Sequence, residues 1–472
     1  MNKEDICYLP AYEMLEKIKS QELSSLEITE ALIERINKLN PVLNAYCTTT
    51  FDLAREIAEK ADKLVKGGQD LPPLIGIPTS IKDLMQTKGI RTTYGSKLYE
   101  KFIPEVNDVA VERLLDAGCV LLGKTNTPEF GHVPVTINLI FGETKNPWNT
   151  GKTSGGSSGG SAASVAAGMG PLSLGSDGGG SIRLPSCLCG VFGFKPTFGR
   201  IPRYPTVGIA FWTMDHYGPI VRYVKDAALM MDVMKGFHPM DKNTFPDEGI
   251  KYFDKIEDKL NKLKIGTSLN LGFNRLIEPE IKEIVSNAFT KFNEFNWSVE
   301  EVKLKLKKPE FAFNVLVTMG YAYDLQKQYN SNPEILSPDL VKMIKAGLSY
   351  NAIDVGKALA IRMTVYEVFN KYFKDYDILL TPTTPVPAFD LGQTYVPKIA
   401  GKATSFTGWM CYTYPFNMTG LPAATVPCGF TKDGLPVGMQ IIGNRYNDLL
   451  VLQVAKAFEE IAPWQDKKPE IK

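Results

Sequence analysis

Serines set in a dense run of glycines are the residues of this chain best placed to do chemistry. The stretch Ser154–Arg183, SGGSSGGSAASVAAGMGPLSLGSDGGGSIR, holds ten glycines and eight serines in thirty residues. A flexible linker carries little apolar content, whereas here a small-residue helix pattern, Ala162–Ala167, lies between two glycine clusters. Glycine lets a backbone pass close to other atoms and take up positive φ. Two such clusters around a narrow helix imply a buried, preorganised backbone surface. Ser157, Ser158 and Ser181 sit within it, a setting suited to chemistry on a polar bond.

A serine attacks only when a base takes its proton. Histidine is the usual partner, and the chain has three: His132, His216 and His238. Gly155–Gly159 and the overlapping Gly156–Gly160 match G-x-S-x-G, but that elbow follows a strand and has its histidine late in the chain. Here NPWNTGKT precedes the motif, and no histidine follows His238. The GKT of Gly151–Thr153 resembles the end of a phosphate-binding loop, yet the first glycine of that loop falls on Asn146. S-x-x-K does not occur. Lysine is the remaining base, and Lys82 stands at the end of the apolar stretch GIPTSIKD. A neutral amine accepts a proton and a charged one does not. Lowering a lysine from about 10.4 to about 7 costs roughly 4–5 kcal/mol, a shift that burial produces.

Periodicity predicts the elements that must hold these groups. Helices are expected over 11–20, over 24–39 with a Ser24/Glu27 capping box, and over 54–66. A short strand is expected at Leu74–Ile77, breaking at Pro78 and delivering Lys82. Asp108 caps a helix through Val111 and Leu115, and CVLLG, Cys119–Gly123, reads as a buried strand. VRYVKDAALMMDVMKGF reads as helical. From 262 a βαβ unit is expected: KLKIGTSL as strand, 279–295 as helix, and VKLKLK as a half-exposed strand. Residues 310–374 read as mostly helical. DILLTP, AATVPCGF and VGMQII read as strands, the last two joined through Asp433-Gly434, and a helix over Asp448–Ile461 closes the chain. The pattern predicts one α/β domain over 1–472, an α/β/α arrangement with helices on both faces of a mixed central sheet.

Composition narrows the function classes. The chain is 44% hydrophobic and 22% charged with a net charge of +1, and it carries no basic block for nucleic acid. No apolar run reaches membrane-span or signal-peptide length, so a cytoplasmic protein that touches neither membrane nor nucleic acid is expected. The seven cysteines lack metal spacing, and Cys187 and Cys189, a C-x-C without a second pair, read as core thiols.

Three blocks of the chain together resemble the amidase signature family. They are GGSSGGSAASVAAG with LGSDGGGSIRLPSCLCGVFGFKPTFGR, then GIPTSIKD at Gly76–Asp83, and the C-terminal LLTPTTPVPA with PFNMTGLPAATVPCGF and DGLPVGMQIIG. The resemblance is dense over about 70–230 and 375–445 and thin over about 240–370, a variable helical region expected to shape the substrate pocket. It implies a Ser–cisSer–Lys triad: Ser181 of GGGSIR as nucleophile, Ser157 held in a cis peptide linkage as relay, and Lys82 as base. It implies hydrolysis of linear carboxylic amides to a carboxylate plus ammonia or an amine through an acyl-enzyme. Cleavage of esters through the same intermediate is a further expectation, no metal or cofactor is needed, and a homodimer is left open.

The glycines then acquire a purpose. An attacked carbonyl builds a negative oxygen, and a preorganised backbone N–H there contributes about 3–4 kcal/mol. Gly178, Gly179, Gly180 and Ser181 are the expected donors of this oxyanion hole. The family commonly has threonine or isoleucine where Gly178 stands, which is expected to loosen the loop. Asp177 and Arg183 are expected to make structural hydrogen bonds, and Ser158 either to donate near Lys82 or to belong to the turn. Trp409, Tyr412, Tyr414 and Phe416 line a pocket or fill the core. The family also supplies the amidase subunit of a glutamyl-tRNA amidotransferase complex. There glutamine follows GGSIR, where Leu184 stands here, and SSLDQIGP replaces the WTMDHYGP of Trp212–Pro219. The segments 200–215 and 310–350 are expected to form the acyl pocket. Phe211, Trp212 and the apolar 311–323 point to an apolar or aromatic acyl group.

Overall fold

Side chains that alternate along a strand point to opposite faces of a sheet, and in this computed structural model the alternation divides the apolar residues between two cores. Ile378 and Leu380 enter one core while Leu379 between them enters the other, and Ile441 and Ile442 divide in the same way. The structure describes residues 1–471 apart from Gln69 and Val207. The sheet between the cores has eleven strands. In chain order these are β1 (Tyr46–Thr49), β2 (Pro78–Lys82), β3 (Val120–Thr125), β4 (Leu172–Asp177), β5 (Phe192–Lys195) and β6 (His216–Val221). They continue with β7 (Lys264–Thr267), β8 (Ser298–Glu301), β9 (Ile378–Pro382), β10 (Ala423–Phe430) and β11 (Pro436–Gly443). Their spatial order is β1-β3-β2-β4-β6-β5-β10-β11-β9-β7-β8. β2 pairs in parallel with β3 and β4, and β7 with β8 and β9. The run from β4 through β6, β5, β10 and β11 to β9 is antiparallel. The sheet is therefore mixed, as the sequence predicts.

Local signals set many of the element ends. Helix α1 (Ser25–Leu43) opens on the reciprocal Ser24/Glu27 capping box, followed by α2 (Phe51–Lys66). Asp108 accepts from Ala110 N at the start of Val109–Asp116. Helix α3 (Gly159–Ala166) packs on β2, β3, β4 and β6, and α4 (Arg183–Cys189) on β5, β10 and β11. Three long helices, α5 (Glu310–Ser331), α6 (Pro338–Ser349) and α7 (Ala352–Tyr372), contribute to the second core together with Trp409, Tyr412, Tyr414 and Phe416. Those four aromatics are buried core residues. The closing helix α8 (Asp448–Ile461) packs on β10 and β11. Cys187 and Cys189 are free, buried thiols. Among the described residues no helix is long and apolar enough to cross a membrane.

Two expected strands fall elsewhere. Leu74–Ile77 forms turns, with Leu74 N and Gly76 N donating to the carbonyls of Ala117 and Gly118. The strand begins at Pro78, the position where a proline's missing N–H is tolerated. VKLKLK lies just beyond β8 and forms no strand; Val302 N donates to Thr267 O at the end of β7, and the ladder stops there. Its alternation has another cause: Leu306 is buried, Val302 and Leu304 pack on the second core, and the three lysines face solvent.

Helix α3 begins earlier than its alanine pattern suggests, and its first turn is pressed against other backbone. A Cβ at Gly160 would lie 2.4 Å from Asn126 N and 2.6 Å from Ala45 O. Gly160→Ala is therefore expected to destabilise the fold by about 1–3 kcal/mol, read as a lower midpoint in guanidinium unfolding; an unchanged midpoint would show that the backbone there yields freely.

Candidate active site

Parallel pairing brings two strand ends to one edge. β2 and β4 run side by side with Ile81 opposite Leu174, so their carboxyl ends present Lys82 and Ser176 together. Sites in α/β sheets gather outside such carboxyl ends. Lys82 Nζ lies 2.6 Å from Ser157 Oγ and 2.9 Å from Ser176 Oγ. Lys82 is wholly buried and Ser157 is 2% exposed. Burial pushes the amine down to about 7, against the pull of the Asp215 and Asp177 carboxylates. The Gly156–Ser157 peptide is cis. From Thr153 to Cys189 every residue is buried except Ser181, which is partly exposed.

The loop that carries Ser181 is organised by one carboxylate. Asp177 ends β4, and its Oδ1 accepts from Gly180 N at 2.7 Å while its Oδ2 accepts from Ile182 N at 3.2 Å. Arg183, one turn on, closes a two-pronged ion pair: Nε to Oδ2 and Nη2 to Oδ1, both 2.9 Å. Arg183 also donates to Thr413 O, Gln440 Oε1 and Asn417 Oδ1, and Asn417 Nδ2 donates back to Asp177. Burial pushes the Asp177 carboxyl up, but the Arg183 charge and hydrogen bonds, with Lys195 and Asn417, hold it well below the usual carboxylate range.

This arrangement changes the expected set of inward N–H groups. Gly180 N–H is taken by Asp177, so it does not face the site. The N–H groups of Gly178, Gly179 and Ser181 have no acceptor among the described residues. Gly178 also differs from expectation. A Cβ there would meet Phe211 Cδ1 at 2.6 Å, so the ring fills the space that a side chain would take. Ser158 makes no hydrogen bond to Lys82 among the described residues. Its N–H donates to Ser181 O at 3.1 Å, and its Oγ donates to Ser176 O and accepts from Ser176 N. Ser158 thus ties the start of α3 to β4 and to the Ser181 loop.

Ser181 stands where two cavities meet. The smaller, about 270 Å³, is lined by Ser157, Ser176, Arg203, Asp215 and the aromatic rings of Tyr94, Tyr99 and Phe130. The larger, about 610 Å³, is mostly apolar, with Phe313, Val317, Met343, Tyr350 and Met410. Segments 200–215 and 310–350 both contribute to these walls, with Val207 outside the described residues. Two polar groups near Lys82 lie inside recognisable stretches, Ser176 in LGSDGGGSIR and Asp215 in WTMDHYGP, yet the sequence reading assigns neither a part in the site. Ser176 reaches the amine through strand pairing. Asp215 faces it from the residue before β6, paired with Arg203 at 2.7 Å; burial pushes its carboxyl up while Arg203 and Lys82 oppose that rise.

A family profile described as Amidase matches residues 27–452. An acylamidase from Rhodococcus erythropolis is 38% identical over 474 residues, covering 99% of this chain and 98% of that protein. One subunit of the glutamyl-tRNA(Gln) amidotransferase from Sulfurihydrogenibium sp. (strain YO3AOP1) is 37% identical, covering 97% of this chain and 98% of that protein. The crystal structure of a bacterial aryl acylamidase of the amidase signature family superposes with a TM-score of 0.91 at 32% identity, covering 97% of each chain.

The Asp177–Arg183 pair yields a stability test. Removing one member of a buried ion pair strands the other, at about 3–5 kcal/mol. Arg183→Met is expected to lose that much in equilibrium unfolding, with Asp177 left unpaired. A loss below about 1 kcal/mol would mean that the pair does not hold the loop.

Proposed function

Because the chain belongs to the amidase signature family, we propose that it hydrolyses carboxylic amides through an acyl-enzyme, with Ser181 as nucleophile, Ser157 as relay and Lys82 as base. One observation carries this reading. A wholly buried amine, pushed down to about 7, contacts Ser157 at 2.6 Å and shares an edge of the sheet with the partly exposed Ser181. Near neutral pH a large share of Lys82 is uncharged and holds a free lone pair. An N–H of the amine donates to Ser176 Oγ while the lone pair takes the Ser157 hydroxyl proton.

Ser181 Oγ attacks the amide carbon as its own proton moves to Ser157 Oγ. The carbonyl electrons move onto oxygen, which accepts hydrogen bonds from the N–H groups of Gly178, Gly179 and Ser181. Each such donor is worth about 3–4 kcal/mol at the transition state. The proton then returns from Lys82 through Ser157 to the nitrogen, the C–N bond breaks, and ammonia or an amine leaves. Water adds to the acyl-enzyme ester by the same proton path, releasing a carboxylate and restoring Ser181. Esters enter through the same intermediate. The apolar walls of the larger cavity suit an apolar or aromatic acyl group.

A second reading rests on the amidotransferase relatives, at 37% identity for one of them: an ammonia-producing component of an assembly. Leu184 and the WTMDHYGP of Trp212–Pro219 oppose it, and Leu184 is wholly buried in the second core. Co-purification with a second protein and ammonia release from glutamine alone among amides would favour the assembly.

A panel of amides assayed for ammonia or amine release tests the main reading. Ser181→Ala is expected to lower kcat by at least about 10³-fold; wild-type turnover in that variant would remove Ser181 as nucleophile. The pH profile of kcat/KM is expected to fall about tenfold per unit below an apparent pKa near 7, since protonated Lys82 cannot accept, and to level off above it. A flat profile from pH 5 to 8 would place the base elsewhere. Lys82→Met removes a desolvated amine, so it is expected to abolish turnover while the melting temperature holds or rises.

A further inference from the structure

Among the described residues, Gly131, Ser181 and Phe211 alone line both cavities. Gly131 has no side chain, and a Cβ there would lie 3.3 Å from Ser157 Oγ. Ser181 supplies the attacking oxygen. The remaining side chain at the junction is Phe211, and several contacts hold it in place. Its ring lies over the bare Cα of Gly178, edge-to-face with Tyr321 at 5.9 Å between centroids and 6.5 Å from Phe313. Its carbonyl accepts from Met214 N and Asp215 N. The backbone just before it is clamped to α5, where Asp324 Oδ2 accepts from Ile209 N at 2.7 Å and Ala210 N at 3.2 Å. Gly320 on the same helix lets that backbone approach, since a Cβ there would fall 2.2 Å from Ala210 Cα.

The proton path orients the substrate across this junction. The leaving nitrogen takes its proton from Ser157, which lines the smaller cavity and not the larger one. The amine substituent therefore occupies the smaller chamber, and the acyl chain the larger, apolar one. The carbon attached to the carbonyl then lies beside Phe211, the side chain other than Ser181 that lines both cavities among the described residues. We infer that Phe211 sets the bulk tolerated next to the scissile carbonyl, so that the enzyme takes N-substituted amides with an unbranched acyl group and rejects branching at that carbon. This inference rests on the proposed amide hydrolysis and names the substrates of the same site. Glycine at 178 is what gives the ring its seat.

The test uses amides of a single amine whose acyl groups are butanoyl, 2-methylpropanoyl and 2,2-dimethylpropanoyl, with kcat/KM measured for wild type, Phe211→Ala, Phe211→Leu and Asp324→Ala. One misplaced methyl group in a tight pocket changes kcat/KM by about 10- to 200-fold. The ratio of branched to straight-chain kcat/KM is expected to rise at least about tenfold in Phe211→Ala, by less in Phe211→Leu, and in the same direction in Asp324→Ala as the clamp on 209–211 loosens. Comparing ratios between variants cancels the intrinsic reactivity of each amide. An unchanged ratio in folded Phe211→Ala would overturn the role of Phe211 while leaving the hydrolase reading intact; if that variant does not fold, Phe211→Leu decides on the same criterion. Failure of the wild type to turn over any amide, or full activity in Ser181→Ala, would overturn the hydrolase reading and the substrate assignment with it.

Discussion

A lysine amine taken out of water and answered by hydroxyl groups is the constraint on which the site depends. Lys82 meets Ser157 and Ser176, and its burial lowers it to about 7. The neighbouring strand holds a second wholly buried lysine with a different fate. Lys124 Nζ donates to Met85 O at 2.5 Å and to Thr87 Oγ1 and Thr92 Oγ1, with Asp83 at 3.8 Å. A carbonyl and a carboxylate favour the charged form, and Lys124 is lowered less far, to about 8. Two lysines on adjacent strands thus differ in their partners: Lys124 meets a carbonyl and a carboxylate that favour its charge, whereas Lys82 meets hydroxyl groups.

Such an amine is useful only if the hydroxyls stay where it can reach them, and that falls to a separate polar network. Asp177 and Arg183 flank the same short loop, and each satisfies the other's buried charge. Asn417, Gln440 and Thr413 complete the set from the C-terminal part of the chain. The network takes the backbone N–H groups of Gly180, Ile182 and Arg183 and leaves those of Gly178, Gly179 and Ser181 without an acceptor among the described residues. Ser158 adds a tie between α3 and β4. Positioning and proton transfer are therefore carried by different residues, although all of them lie in or against one glycine-rich segment.

Much of the fold is legible in local pattern. The Ser24/Glu27 box, the Asp108 cap, the Asp433-Gly434 turn and the closing helix are short-range signals, and each marks a real element end or connection. Pattern misleads where alternation is read as strand pairing. VKLKLK alternates because its apolar side lies on a core, and no neighbouring strand among the described residues completes a ladder. Pro78 misleads in the opposite sense: read as a strand breaker, it opens β2, a position where proline is tolerated.

The order of residues along the chain is enough to name the chemical groups and the family that their spacing resembles: Lys82 after an apolar stretch, Ser157 and Ser181 among glycines, Asp177 and Arg183 around the loop. Composition and local periodicity carry that much because they depend on residues close together in the chain. Folding in three dimensions had to settle the rest: that Ser176 meets Lys82 across parallel strands, that Gly180 turns its N–H to Asp177, and that Phe211 fills the space above Gly178. Each of these is a contact set by register, loop direction or the approach of a distant segment. Burial and packing fix such geometry through the whole fold, and no local spacing encodes it.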